Sequence, residues 1–548
     1  MSLATTPDGL VRGTVLAVDG RVGGRSLNRF LGIPYAESPA RLRRFLPPVP
    51  VRPWDGTRDC TVPGTMAPQI PDPFLPPSDG FAERWDEDSC LNLNVWTPGA
   101  DGAARPVMVW VHGGAYLTGS NNGGLHDGGR LAAALDLVVV SVNYRLGALG
   151  FLHLPELLGP EYADSSSSAL LDILEALRWV RRNIAAFGGD ATNVTLFGES
   201  AGAAAVGTLL GMPASEGLFR RAIMQSGTAE RVRTPEESRR ITEEFLGYCG
   251  LDASRAAELL ALPVERLLAA QEALGKAAAG STFGVALPFQ PATGTPAIPE
   301  PPLAAIRKGL NAGVDLLAGT NLNEGSFTVE LRPASPSDPP DLADRVELMM
   351  AGLMKAERGA DPAKERVRYE EALAETLGTA PTGKQLLEAY LSDAQYRQPT
   401  TRLLDARSGS TGRNFSYLFT WKSPAMGGKL GSCHALEIPF VFRQLDSAEA
   451  AYLTRGKAPA DLAEWMSAAW AAFAGSGAPV AAGLPPWPEY REPEYREHTG
   501  APEHRGGRPT MILDAEPRVE SDPRGRLRGF WASHGTPFQP AKNSLSNH

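Results

Sequence analysis

The sequence predicts an α/β protein, with one large, mostly parallel central sheet, helices on both faces and a helical cap. Three observations carry that expectation. Residues 106–111, 137–142 and 314–318 are short and almost wholly apolar, as strands covered on both faces are. Residues 170–187, 232–280 and 461–474 place their apolar side chains at helical spacing. The two patterns alternate along the chain, an order that builds a parallel sheet joined by crossover helices. Residues 1–531 are expected to form one domain, with 333–410 as a helical cap and 532–548 as a disordered tail.

In chain order, residues 11–35 hold two turn signals, Asp19-Gly20 and Gly23-Gly24, between β-forming pieces, and so predict an antiparallel hairpin. A proline-rich loop region follows to about Pro77. Residues 91–96 alternate and read as a strand. The run at 106–111 leads into His112-Gly113-Gly114-Ala115-Tyr116, a glycine-rich loop at the carboxyl end of a buried strand. Ser165–Ser168 reads as a flexible loop. Strands are expected at 193–198, 222–226, 314–318 and 414–421, and a last one at 510–513. Between 333 and 407 the chain is charged and proline-punctuated, with helical pieces at 341–357 and 363–377.

Composition narrows the function classes. Hydrophobic residues make up 43% and charged residues 21% of the 548 positions, enough to bury a large core. The formal charge is −9 with no long basic run, which argues against nucleic acid and anionic membrane as partners. No apolar run reaches the length of a membrane span. The first residues have neither a basic nor an apolar leader pattern, so export is not expected. The four cysteines, Cys60, Cys90, Cys249 and Cys433, lack metal-type spacing. Reduced thiols in the cytoplasm are the expectation, with a Cys60–Cys90 bridge the alternative for an exported chain. The oligomeric state stays open.

The chemistry gathers at Gly198-Glu199-Ser200-Ala201-Gly202. A β-rich run precedes it and an alanine-rich helix pattern follows, so this G-x-S-x-G reads as a tight strand-to-helix turn that lifts the Ser200 hydroxyl above the sheet. Side chains at Gly198 and Gly202 would collide with the adjoining strand and helix. A serine hydroxyl is a weak nucleophile and needs a positioned base, which needs an orienting acid. Glu324 follows the strand at 314–318, and His434 follows the strand at 414–421 across a glycine-rich loop. Both come after the serine in the order Ser, acid, His. His126 and His153 precede the serine, and His498, His504 and His534 follow no strand.

Further motifs accompany these residues. They are Phe30-Leu31-Gly32-Ile33-Pro34-Tyr35-Ala36, Leu91-Asn92-Leu93-Asn94-Val95-Trp96, Asn143-Tyr144-Arg145-Leu146-Gly147, Asn323-Glu324-Gly325-Ser326-Phe327 and His434-Ala435-Leu436-Glu437-Ile438-Pro439-Phe440. With the serine motif, they make the chain resemble the type-B carboxylesterases, the group of cholinesterases and bacterial nitrobenzyl-type esterases, from about residue 12 to 531. The resemblance implies an α/β-hydrolase fold with Ser200, His434 and Glu324 as nucleophile, base and acid. It implies an oxyanion hole made by the N–H groups of Gly114, Ala115 and Ala201. It implies a small-molecule ester substrate, hydrolysed through an acyl-enzyme, and no cofactor or metal. A carbamate or amide hydrolase with the same triad is the alternative, and a non-catalytic cholinesterase-like binding protein a remote one. The family's early disulfide is not expected, because Met66 stands where one cysteine would be, leaving Cys90 without that partner. Phe283, Leu287, Phe327 and Leu117 are candidate substrate-lining residues.

Overall fold

The buried strands at the middle of the central sheet send alternate side chains into two different cores, and that alternation organises the molecule. In β6 (Arg105–Val111), Val107, Val109 and Val111 enter one apolar cluster while Met108 and Trp110 enter the other. Fully burying a valine-sized side chain contributes roughly 1.5–3 kcal/mol, so a strand with no polar face is held from both sides. The first cluster is closed by the helices Ser168–Asn183 and Ala201–Leu210, the second by Ala460–Ser476. The expectation of helices on both faces is met. The computed structural model describes residues 1–17, 26–71, 85–281, 287–331, 341–354, 361–491 and 507–533.

The remaining strands are β1 (Ser2–Thr6), β2 (Gly9–Ala17), β3 (Ser26–Pro34), β4 (Thr57–Asp59), β5 (Asn92–Thr97), β7 (Val138–Val142) and β8 (Gly189–Glu199). After these come β9 (Arg221–Gln225), β10 (Asp315–Asn321), β11 (Asn414–Phe419), β12 (Pro509–Leu513) and β13 (Arg518–Ser521). Their order is β1-β2-β3-β5-β7-β6-β8-β9-β10-β11-β12-β13, with β4 paired to β2. Every neighbour pair from β7 to β12 is parallel. Antiparallel pairs flank that run at both ends. The sheet is therefore mostly parallel.

The hairpin expected over 11–35 is the β2–β3 pair, whereas its turn residues, Asp19-Gly20 and Gly23-Gly24, lie outside the described residues. Three strands escape the sequence pattern. β1 and β4 are short edge pieces, and β13 follows the strand expected to be the last. Its residues, Arg518–Ser521, are mostly exposed, so no apolar run marks them. Edge strands take their stability from one neighbour's hydrogen bonds more than from burial.

One expectation is overturned. Ser165–Ser168 is no flexible loop: all four serines are fully buried. Ser165–Ser167 forms a 3₁₀ turn and Ser168 opens the helix Ser168–Asn183. Ser165 Oγ accepts the Leu154 N–H at 3.0 Å, and Ser168 Oγ donates to the Phe45 carbonyl at 2.9 Å. Small hydroxyl side chains serve buried backbone groups as readily as they serve turns, so composition misleads here. Beside them, Arg145 is clamped to Asp172 by bonds of 2.8 and 2.7 Å, with both side chains buried.

Within residues 333–410 the described chain forms the helices Leu342–Met354, Pro362–Leu377, Gly383–Ser392 and Gln398–Ala406, with a π turn at Asp393–Arg397. Tyr369 and Tyr390 of this region pack against Phe530 and Trp531 of the terminal helix Gly525–Ala532 in a third apolar cluster. Ala532 thus belongs to that helix, one residue past the expected domain end. Residues 534–548 lie outside the described residues.

Candidate active site

The turn after β8 is forced by the two glycines that bracket it. A Cβ on Gly202 would lie 2.0 Å from the Val111 carbonyl oxygen, and one on Gly198 would lie 2.7 Å from both that oxygen and the Gly202 carbonyl carbon. Only hydrogen fits at either place, as the sequence implies. Ser200 itself takes φ +55° and ψ −120°, a conformation that costs on the order of 1–3 kcal/mol for a residue with a Cβ. The surroundings hold it there. Its N–H donates to the Gln225 carbonyl of β9 at 2.9 Å, and its own carbonyl accepts the Ala204 N–H at 2.8 Å. Ser200 is only 8% exposed.

Glu324 and His434 follow the neighbouring strands β10 and β11. Just beyond them an isolated parallel bridge pairs Asn323 with Cys433. The Asn323 N–H donates to the Ser432 carbonyl at 2.9 Å, while Asn323 Oδ1 accepts the Ser432 N–H at 3.1 Å. Glu324 and His434 are thereby set side by side. Glu324 Oε2 lies 2.7 Å from His434 Nδ1, and His434 Nε2 lies 2.8 Å from Ser200 Oγ. The other acid oxygen, Oε1, accepts the Asn321 N–H at 2.7 Å, which fixes the carboxylate's rotation. All three sequence candidates meet in one hydrogen-bonded line.

The loop after β6 lies against them. A Cβ on Gly113 would stand 2.7 Å from Glu199 Oε2 and 3.1 Å from Ser200 Cβ, so the loop backbone reaches the serine only because this residue is glycine. Gly114 and Ala115 have φ of +104° and +58°. Among the described residues, neither N–H has a hydrogen-bond acceptor. Ala201 is the first helical residue after the serine, where an N–H has no intrahelical partner. Three free amides thus occur on the two segments that flank Ser200.

Comparison with known proteins follows the same line. A family profile described as "Carboxylesterase family" matches residues 2–506. The chain belongs to this carboxylesterase family. A para-nitrobenzyl esterase of Bacillus subtilis (strain 168) is 35% identical, with 96% of this chain and 97% of that protein covered. A phenmedipham hydrolase of Pseudarthrobacter oxydans is also 35% identical, covering 84% of this chain and 89% of the relative. Among solved structures, the Geobacillus stearothermophilus carboxylesterase EST55 superposes with a TM-score of 0.79 at 34% identity, covering 97% of this chain and 100% of that one. These likenesses establish the α/β-hydrolase fold.

The carboxylesterase site includes carboxylates to which the sequence assigned no role. Glu199, next to the serine, places Oε1 3.1 Å from His434 Nε2. That nitrogen is aimed at Ser200 Oγ, so Glu199 acts on the ring through charge rather than through a bond. Burial pushes its pKa up to about 8; His434 lowers it, and the nearby Glu437 and Glu324 raise it. Glu437 is fully buried and accepts from Asn321 Nδ2 at 2.6 Å and Gln225 Nε2 at 3.1 Å. Burial, then the charge of Glu324, raises its pKa. For His434, burial acts downward, but the electrostatic influence of Tyr396 and Glu199 and the hydrogen bond to Glu324 prevail and hold the imidazole well above its usual range. The Tyr396 ring lies 4.7 Å from the imidazole, centroid to centroid. An acid inside the apolar stretch 436–442, as Glu437 is, was the available signal for a buried functional carboxylate.

Two histidines near the serine loop have structural places. His112 stacks on Tyr144 at 4.5 Å, and burial brings its pKa down to about 4. His126 packs against Trp110 and Phe442, and burial brings it to about 3. Among the described residues there is no cluster of His, Cys, Asp and Glu that would hold a metal, and no helix long and apolar enough to cross a membrane. Of the candidate lining residues, Leu117, Leu287 and Phe327 are half-buried, Leu117 against the first core cluster and Phe327 against the second. Phe283 lies outside the described residues.

Proposed function

We propose that this protein hydrolyses carboxylic esters of small molecules through an acyl-enzyme. The observation that carries this reading is the unbroken line Glu324–His434–Ser200, with links of 2.7 and 2.8 Å. Ser200 Oγ attacks the ester carbonyl carbon as its proton passes to His434 Nε2. The negative charge that develops on the carbonyl oxygen is met by the N–H groups of Gly114, Ala115 and Ala201, preorganised donors that act most when the carbon is tetrahedral. The C–O bond to the alcohol then breaks, and the alcohol leaves with the His434 proton. Water, deprotonated by His434, attacks the acyl carbon and frees the acid and Ser200. Glu324 orients the ring and balances the imidazolium charge. The helices within 333–410 are read as the cap over this site, with Tyr396 against the histidine as the supporting contact.

Replacement of Ser200 by alanine tests the reading. Turnover of p-nitrophenyl acetate should fall by about 10⁵–10⁶-fold with the fold unchanged by circular dichroism, and an organophosphate should label Ser200 in the parent. Near-parental turnover by the variant, or labelling of another serine, overturns it. A panel of p-nitrophenyl esters of rising chain length, with one anilide and one carbamate, then sorts the bond and acyl preference.

The reading includes a reducing, cytoplasmic setting. It is supported by four buried thiols, none in a disulfide, with burial pushing Cys249 to about 11 and Cys60 to about 12. Denaturation without reductant should release four titratable thiols. A count of two contradicts this setting.

A further inference from the structure

A small cleft opens between the strands β10–β12, the helix Gln398–Ala406 and residues 522–528. We propose that this cleft binds a small oxyanion, a carboxylate or a phosphate, gripped by Arg524 with Arg397, Arg508 and Arg528 around it. Its lining contains these four arginines and a single carboxylate, Asp522.

Three of the arginines have carboxylates of their own. Arg397 pairs with Asp393, and Arg508 reaches both oxygens of Asp405 at 3.2 Å. Arg528 holds Asp522 by two bonds of 2.7 Å. Arg524 is the exception. Among the described residues it has no ion-pair partner, and its Nε is buried without an acceptor. The residue is also pinned, at φ +63° and ψ +30°, at the start of the helix Gly525–Ala532, so its side chain leaves the backbone from a fixed point. Burying Nε without an acceptor is costly, and a planar or tetrahedral oxyanion supplies an acceptor together with a fork of hydrogen bonds. Burial and then the like charge of Arg397 depress the Arg524 pKa, against the opposing pull of Asp393, Tyr369 and Glu388. One cation without a direct ion pair, in a cleft lined by arginines, offers its fork to one anionic group.

The cleft touches the catalytic acid through one residue. Arg397 Nη2 donates to the carbonyls of Asn321 and Leu322 at 3.0 and 2.8 Å. Asn321 in turn donates its N–H to Glu324. An anion drawn toward the arginines therefore firms the segment that carries the acid.

The test uses the full chain with Ser200 blocked by an organophosphate, so that the catalytic site takes no part. Inorganic phosphate, sodium acetate and sodium chloride are titrated separately at constant ionic strength and pH, following Tm and heat of binding. A saturable rise in Tm with phosphate, acetate or both, and none with chloride, is expected; the responding salt identifies the class. Arg524→Gln should weaken that binding at least tenfold, while Arg524→Lys keeps a reduced, saturable response and shows that the fold persists. Parental affinity in Arg524→Gln, an equal response to chloride, or no saturable response to any salt overturns the proposal.

Discussion

The serine side and the histidine side of the site are held in place by different means. Ser200 sits where it does because backbone surrounds it: Gly198 and Gly202 admit the Val111 carbonyl, and two backbone hydrogen bonds seal the turn. Glu324 and His434 are set side by side by one backbone bridge, over side chains drawn from distant parts of the chain. Asn321, Gln225 and Glu437 form a buried polar network beneath them, and Arg397 buttresses the loop from the far side. On the proposed reading, the contrast teaches that a nucleophile can be fixed by steric exclusion, whereas a base that must gain and lose a proton needs adjustable charge around it. Backbone supplies the first. Titratable side chains supply the second.

Among changes that leave Ser200 in place, breaking the histidine side chemically should give the largest effect. Glu324→Gln keeps the shape but donates an N–H or accepts weakly where the carboxylate now faces Nδ1, favouring the wrong imidazole tautomer. A drop in kcat of about 10⁴-fold is expected, with KM little changed, in steady-state assays of p-nitrophenyl acetate. An unchanged kcat would move the acid elsewhere.

Breaking the serine side sterically should come next. Gly202→Ala puts a methyl group 2.0 Å from the Val111 oxygen, so the helix or the β6 loop must shift. Displacement of about 1 Å at a reacting group costs on the order of 10² in rate. The strain should also lower stability by about 1–3 kcal/mol, read from urea unfolding. If Gly202→Ala keeps full activity and stability, the turn is not sterically closed.

The smallest expected effect sharpens the comparison. Glu199 helps raise the His434 pKa, and an imidazolium cannot accept the serine proton, so kcat/KM should fall on the acid side at a pH above the ordinary histidine value of 6.5. Glu199→Gln removes one of the groups that hold the proton. The histidine pKa then drops, and the acid limb of the kcat/KM profile should move to lower pH. Because Glu199 itself titrates near 8, the parent limb should be broadened by two coupled ionisations and the variant limb should show one. A limb that stays in place would remove Glu199 from the proton's surroundings.

The same contrast explains what was legible in the sequence. The serine side is local: a strand pattern, five residues and an alanine-rich helix state both the turn and the reason for its glycines. The buried strands β6, β7 and β10 were equally plain, because strands covered on two faces carry unbroken apolar runs. Glu324 and His434 were located by their position after strands and by family likeness. The network under them was not legible, since Gln225, Asn321 and Glu437 meet only through tertiary contact between separate strands and loops. Ser165–Ser168 misled for a related reason. Their burial depends on Phe45 and Leu154, which nothing in the serine run foretells.

The Asn323–Cys433 bridge has a consequence for how such a protein diversifies. Glu324 and His434 are 110 positions apart in the chain, yet one ladder contact beside them sets their spacing. What is threaded between them starts and ends at the same point, and within it β11 returns to the sheet between β10 and β12. Only the connections between its helices can change length at the cost of loop closure alone, which grows only slowly with length. On the proposed reading, the helices between Glu324 and His434 can vary in sequence while the bridge that spaces these two residues is kept.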